Sequence, residues 1–338
     1  MLFLAKPIIM TRIICCLLLL ALPTIALSQD TTNAKNVAGW HIIQTNGLPE
    51  KREDCSFVEV NGLFYLVGGR GIKPVDVFNP KTNTWQHKGN TPVELNHFQA
   101  VAYKNFIYVV GAMNGRFPHE KPLDNIYIYN TETDEWKVGP AMPVGRLRGS
   151  GGTVIYKNKI YLVCGIQDGH WDGFATWMDE FNPETGAWQI LPDAPHARDH
   201  FNAVVIGHKL YLAGGRRTSF KTREIATLTV PEIDVYDFKS KTWETLPSAN
   251  NLPTLRAGTD AVAYDNQLVI IGGESAAQKD SHHEAEAYDP KTGTWKKLPP
   301  MVTGRHDTGA LTYKHHIYIA AGSANSGGGP DQNTIEVL

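Results

Sequence analysis

Six times along the chain a strand-length apolar run closes on a pair of small residues: "FYLVGG" at Gly68-Gly69, "IYVVGA" at Gly111-Ala112, "IYLVCG" at Cys164-Gly165, "LYLAGG" at Gly214-Gly215, "LVIIGG" at Gly272-Gly273 and "IYIAAG" at Ala321-Gly322. After the first five comes an aromatic strand, an Asn- or Asp-bearing turn and a tryptophan, as in "VFNPKTNTW", "IYNTETDEW", "EFNPETGAW", "VYDFKSKTW" and "AYDPKTGTW". Before each small pair stands another alternating segment, of which "HFQAVAY" is an example. Period-two alternation bounded by Gly, Asn and Asp predicts strands, not helices. Each unit therefore reads as a series of short strands, labelled A to D, repeated about every 50 residues.

The sixth unit stops at "NTIEVL", which supplies strand C and no D, while "NVAGWHIIQT" near the other end carries Trp40 with no repeat of its own. Trp40 is thus expected on the missing strand D of the last unit. The tryptophan-turn and small-pair motifs resemble those of Kelch repeats, whose characteristic period is about 50 residues. That resemblance implies an all-β fold, a six-bladed Kelch β-propeller whose last blade is closed by an N-terminal outer strand. The blades are expected at about 52-91, 95-143, 148-194, 198-252, 256-301 and 305-338 plus 39-44.

Residues 1-28 read as a secretory signal: Lys6 and Arg12 are basic, "IICCLLLLALPTIA" is apolar, and Ala26-Leu27-Ser28 suits cleavage. A linker is expected at 29-38, with a secreted or periplasmic mature chain that has no membrane attachment. Such a chain keeps only Cys55 and Cys164, which fall in separated blades and are expected as free, buried thiols. The formal charge of -2 argues against a nucleic-acid partner, because phosphate neutralisation needs clustered excess Lys and Arg. A monomer is expected.

Antiparallel blades put all A-to-B and C-to-D turns on one face of a propeller and all B-to-C and D-to-A connections on the other. The first set is short and repetitive; the second varies in length and is rich in polar groups, as in "GIQDGHWDGFATW" and "GGRRTSFKTREI", so ligand binding is expected there. Aligning the strand A starts on the small pairs stacks Arg52, Leu95, Arg148, Arg198, Arg256 and Arg305 at one position, and Asp54, His97, Ser150, His200, Gly258 and Asp307 two places on. Two readings of the arginines are open: a cationic funnel for an anionic ligand, or braces between blades.

Candidate ligand-binding residues are Arg52, His97, Arg148, Asp168, His170, Trp171, Arg198, Arg216, Arg217, Arg256, Glu274 and Arg305, with Trp171 either stacking on a sugar ring or packing its own loop. For catalysis the candidates are Asp199-His200 and His306-Asp307, where a carboxylate near an imidazole can tune proton transfer, with partners drawn from different blades because adjacent side chains on one strand point to opposite faces. His97, His200, His306 and His170 can converge across the axis, but no compact ligand spacing accompanies them. Neither a metal nor a cofactor is therefore expected.

His282-His283 and His315-His316 read as exposed loop and turn residues. Every tyrosine falls in a strand, which argues against the radical-copper chemistry of the Kelch enzyme galactose oxidase. Exported N-acetylneuraminate epimerases (mutarotases) are similar in architecture and compartment, but no active-site motif of theirs maps onto this chain. The expected function is binding of a carbohydrate or acidic glycan in the central funnel. The alternative is a sugar epimerase, mutarotase or lyase acting on sialic or uronic acids, and a protein-interaction platform ranks third.

Overall fold

A computed structural model describes Leu2 and residues 39–338; the expected linker at 29-38 and, Leu2 apart, the expected signal at 1-28 lie outside the described residues. Residues 39–338 fold into six four-stranded antiparallel sheets and two short two-stranded ribbons, with one 3-10 turn at Ser248–Asn250 as the only helical element among them. The first blade shows the plan, with strands A to D at Cys55–Val60, Leu63–Gly68, Pro74–Asn79 and Thr84–Asn90. Five further sheets repeat it, with their A strands starting at Val101, Gly152, Val204, Asp260 and Gly309.

The sixth sheet runs Gly309–Tyr313, His316–Ala320, Ile335–Val337 and then His41–Ile42, so the chain's beginning supplies the outer strand of its last blade. His41 pairs with Val337 and Ile42 with Glu336, and Ile43 N donates to Ile335 O at 3.0 Å. Trp40 is buried among Val269, Ile271, Ala287 and Ile319, between blades five and six. The outer tryptophans also stitch neighbours together: Trp188 Nε1 donates to Ala141 O, Trp243 Nε1 to Pro192 O and Trp295 Nε1 to Asn250 O, each at 2.8–2.9 Å and each to the preceding blade.

Alternation drives this packing. In Leu63–Gly68 and its equivalents almost every residue is buried, because both faces of an inner strand meet neighbouring blades. Outer strands such as Glu135–Ala141 bury little and keep polar residues toward solvent. Cys55 and Cys164 are free and buried in different clusters, and burial pushes both thiols up to about 12. Native protein should therefore resist alkylation at both. Unfolding a chain that begins at Gln29 without reductant should expose two thiols, and intact mass that gained no adducts would contradict two free cysteines.

Candidate functional site

Each blade enters strand A through the same three-residue turn. Its first residue is the aligned arginine, and all five arginines are wholly buried within their own blade. Arg52, Arg148, Arg198, Arg256 and Arg305 each donate to the carbonyl of the first small residue closing strand B: Gly68, Cys164, Gly214, Gly272 and Ala321. They also pair with a buried carboxylate on strand C: Asp76, Asp179, Asp234, Glu286 and Glu336. The expectation of an arginine-ringed funnel is thereby corrected, and so is the picture of braces between blades. A guanidinium presents donors in a fixed fork, and here the fork ties A, B and C of one blade together. Blade two carries Leu95 instead and lacks this clamp.

The second residue of the turn makes a bridge with the residue just after the small pair, as in Asp199 with Arg216, Ala257 with Glu274 and His306 with Ser323. This close approach is why the pair ends on glycine: at Gly273, φ is +110° and a Cβ would sit 2.7 Å from Ala257 O. The third residue turns left-handed in all six blades: φ is 55° at Asp54, 53° at His97, 55° at Ser150, 52° at His200, 60° at Gly258 and 50° at Asp307. Asp and His are among the non-glycine residues that tolerate this region best. The payoff is a belt of blade-to-blade backbone bonds around the axis. His97 N donates to Asp54 O, Ser150 N to His97 O, His200 N to Ser150 O, Gly258 N to His200 O and Asp307 N to Gly258 O, at 2.6–3.2 Å. Cys55 N closes the circle on Asp307 O at 3.4 Å.

Above the belt, on the face of the B-to-C and D-to-A loops, opens a cup of about 670 Å³. Its wall carries Glu53, Asp54, Arg70, Arg216, Glu274 and Asp307, with Phe117, Ile225 and Ala276 forming an apolar side. Arg70 Nε lies 2.6 Å from Asp54 and its Nη2 3.2 Å from Glu120. Arg216 pairs with Glu274, which also accepts from Gly327 N at 2.6 Å. Both guanidiniums are thus engaged, and carboxylates outnumber them.

His306 Nδ1 lies 2.9 Å from Ser281 Oγ, leaving Nε2 between Asp307 Oδ2 at 3.5 Å and Glu274 Oε2 at 3.6 Å. The two carboxyls are tuned apart. Burial raises Asp307, a rise that His306 opposes and the nearby Glu274 charge reinforces. Burial also presses Glu274 upward, but the Arg216 guanidinium and His306 overcome it and hold it down at about 2.

Across the cup three imidazoles meet edge to face or tilted, with centroids 5.1 Å apart for His97–His170, 5.0 Å for His97–His200 and 4.7 Å for His170–His200. Each Nδ1 is tied off: His97 to Asn96 Oδ1 at 2.9 Å, His170 to Glu120 at 3.2 Å, His200 to Asp199 at 2.5 Å. Burial lowers His97 and His200 well below the usual imidazole range.

Of the candidates read from sequence, His97, His170, Arg216, Glu274, His306 and Asp307 share the cup wall. His200 lies just beneath, in a narrow continuation of the channel, and Asp199 orients it while also binding Thr218. Three candidates fall elsewhere. Asp168 pairs with His119 at 3.1 Å, Trp171 packs against His119 with centroids 4.7 Å apart, and Arg217 is exposed on an outer groove beside Phe174 and Thr229. Loop packing absorbs the first two, and the alternation after Gly215 turns Arg217 away from its inward neighbour Arg216. His282 is buried and bonded to Ser275 Oγ at 2.8 Å, contrary to its reading as an exposed loop residue. Glu53, Arg70, Phe117 and Glu120 were missed. Arg70 had a signal, since like Arg216 and Glu274 it directly follows a small pair.

Comparison with known proteins agrees with this architecture. The KLHDC2/KLHL20/DRC7 Kelch-repeats domain model matches residues 98–322. Kelch-like protein terF of Aspergillus terreus is 28% identical over 310 residues, 84% of this chain and 64% of that protein. Human Kelch-like protein 23 is 24% identical across 81% of this chain and 48% of its own length. The chain thus spans about half to two thirds of these relatives. Among solved structures, that titled "Structure of YjhT" superposes with a TM-score of 0.71 at 15% identity, covering 86% of this chain and 96% of the other, which is a likeness of fold. With a repeat model spanning two thirds of its residues and six blades built on one plan, the chain belongs to the Kelch-repeat β-propeller family.

Proposed function

We propose that the cup binds a small neutral sugar and moves a proton on it. The observation that carries this reading is the His306 corner: an imidazole nitrogen 3.5 Å from a carboxyl whose burial favours its protonated form and 3.6 Å from one held ionised. Paired groups with opposite proton preferences are what an acid–base step at one carbon or oxygen requires. Phe117, 49% exposed at the wall and 5.2 Å from both His170 and Phe220, offers a ring face for the C–H side of a sugar.

Charge sets the substrate class. An acidic glycan suited a ring of free arginines, whereas both guanidiniums of the cup wall are already paired with carboxyl groups and Glu274 is held ionised, so among the described residues of that wall no free cation awaits an anionic ligand. A polyhydroxylated, uncharged ring satisfies such a wall through hydrogen bonds without adding a like charge. Epimerisation or anomeric exchange of a neutral or N-acetylated sugar takes the place of the sialic and uronic acids of the alternative enzyme reading, and of the acidic glycan in the expected binding role. Export through residues 1-28 stands beside this as a proposal, for which N-terminal sequencing of the exported protein is expected to read from Gln29, and a sequence starting at Met1 would overturn it.

Saturation-transfer and exchange NMR on a panel of neutral hexoses and N-acetylhexosamines tests the reading. Asp307→Asn, which keeps a side chain suited to the left-handed turn, should cut catalysed exchange by about 10²–10⁴-fold with binding nearly unchanged. Phe117→Ala should weaken binding first. If no sugar on the panel receives saturation, the proposal fails; if sugars bind but exchange is not accelerated, the protein is a binding module.

A further inference from the structure

The three-histidine cluster across the cup from His306 is a second built feature. We propose that His97, His170 and His200 form a binding site for a divalent transition-metal cation of the zinc class, with one coordination position left open toward the cup. It does not rest on the sugar reading, since the cation and its ligands are judged without any substrate.

Five observations carry it. One ligand-capable atom from each ring lies within 4.8 Å of the other two, and all three residues are buried. The Nε2 atoms of His97 and His200 are buried without any hydrogen-bond partner, an expensive condition for a ring nitrogen unless something fills the space between them. Asp54 Oδ1, 3.2 Å from His97 Nε2, makes no hydrogen bond to it and sets an acidic group beside the nitrogens.

The remaining nitrogen of every ring is held by an acceptor: Asn96, Glu120 and Asp199. Carboxylate and carbonyl partners on the far nitrogen are how metal-binding histidines are oriented and made more basic. Finally, the anchors come from different parts of the fold. His97 and His200 are pinned on the backbone belt of blades two and four, while His170 rides on the turn between Ile166–Asp168 and Asp172–Phe174. Tetrahedral zinc with bonds of about 2.0–2.1 Å needs nitrogens roughly 3.4 Å apart. The loop-borne ring is the one placed to close that gap.

The local charge also suits a cation. Glu120, Asp199 and Asp54 surround the cluster, against Arg70 and Arg216, which are each already paired with a carboxylate. His97 and His170 line the cup, so a ligand entering it meets the open side of the site. Three protein nitrogens with an accessible fourth position is the pattern of reactive zinc sites, whereas structural sites are closed by four.

The test uses the full mature chain without a histidine tag, stripped with chelator and titrated with Zn²⁺ alone and, separately, Co²⁺ alone. One zinc per chain by elemental analysis, a rise in melting temperature on zinc addition and the visible absorption of tetrahedral cobalt are expected. His170→Ala should abolish all three while the stripped variant melts like stripped wild type, because the residue sits on a loop. Glu120→Gln should weaken zinc by about 10–100-fold. His306→Asn, outside the cluster, should leave zinc binding intact. No stoichiometric zinc in wild type, or zinc retained by His170→Ala, overturns the site; loss in His306→Asn with retention in His170→Ala moves it to the other corner and overturns it equally.

Discussion

Replacing Arg198 by methionine lowers the unfolding free energy by about 3–5 kcal/mol, because it strands a buried carboxylate. Arg198 Nη2 lies 2.7 Å from Asp234 Oδ2, and both side chains are fully shielded from water. The same guanidinium donates to Gly214 O at 3.0 Å and Glu232 O at 3.2 Å, so its loss also unpairs the ends of strands B and C. Thr245 and His196 still reach Asp234, at 2.7 and 2.9 Å, but neither supplies a permanent charge. Adding Asp234→Leu to the methionine variant should recover much of the loss, since replacing both partners of a buried pair with apolar side chains is often close to neutral. Arg217→Ala, at an exposed position of the same blade, should change stability by no more than about 0.5 kcal/mol. Denaturant midpoints at a constant slope would measure all three, and an Arg198→Met midpoint at the wild-type value would remove the clamp from the account.

The clamp shows where sequence reading stopped. Periodicity exposed six arginines-or-leucine in register, and register is what the fold preserves. It did not disclose that the carboxylates Asp76, Asp179, Asp234, Glu286 and Glu336 stand at matching places on strand C, since an acidic residue at a strand start also reads as a turn residue. The position two residues on was legible as a stack of Asp, His, Ser and Gly. Its meaning, a left-handed turn whose amide and carbonyl encircle the axis, belongs to backbone geometry that the side-chain pattern only hints at.

All three histidines of the cluster were named from sequence as able to converge, but not their closeness or the partners of their far nitrogens. His97 and His200 share a repeat position, whereas His170 comes from a loop that follows no repeat rule, and its partner Glu120 comes from the loop of the blade before. Histidines gathered from three blades leave no compact spacing, so a motif search by spacing does not find them on a ring-shaped fold even where the nitrogens converge. The cup's location on the variable-loop face followed from strand order alone, because that conclusion needs topology and not side-chain direction.

Topology also sets the second large effect, which concerns the strand at His41–Ile42. A chain beginning at Leu48 should melt about 10 °C or more below one beginning at Gln29, and should associate at concentrations where the longer chain does not. Removing the strand takes away the ladder partner of Ile335–Val337 and the 6% exposed Trp40 that covers Val269, Ile271 and Ile319. Deleting a buried tryptophan alone costs about 3–5 kcal/mol, and Trp40→Ala should show that share by itself. The rest comes from Asn46, whose N–H donates to Asn83 O at 2.8 Å and whose carbonyl accepts from Trp85 N at 3.0 Å, tying the same segment to blade one. The segment thus joins the last blade to the first, and without it the ring is held at that seam only by inner strands, with an unpaired edge open to a second copy. Equal melting of the two chains would mean that the inner belt, closed by Cys55 N on Asp307 O, is sufficient to hold the ring.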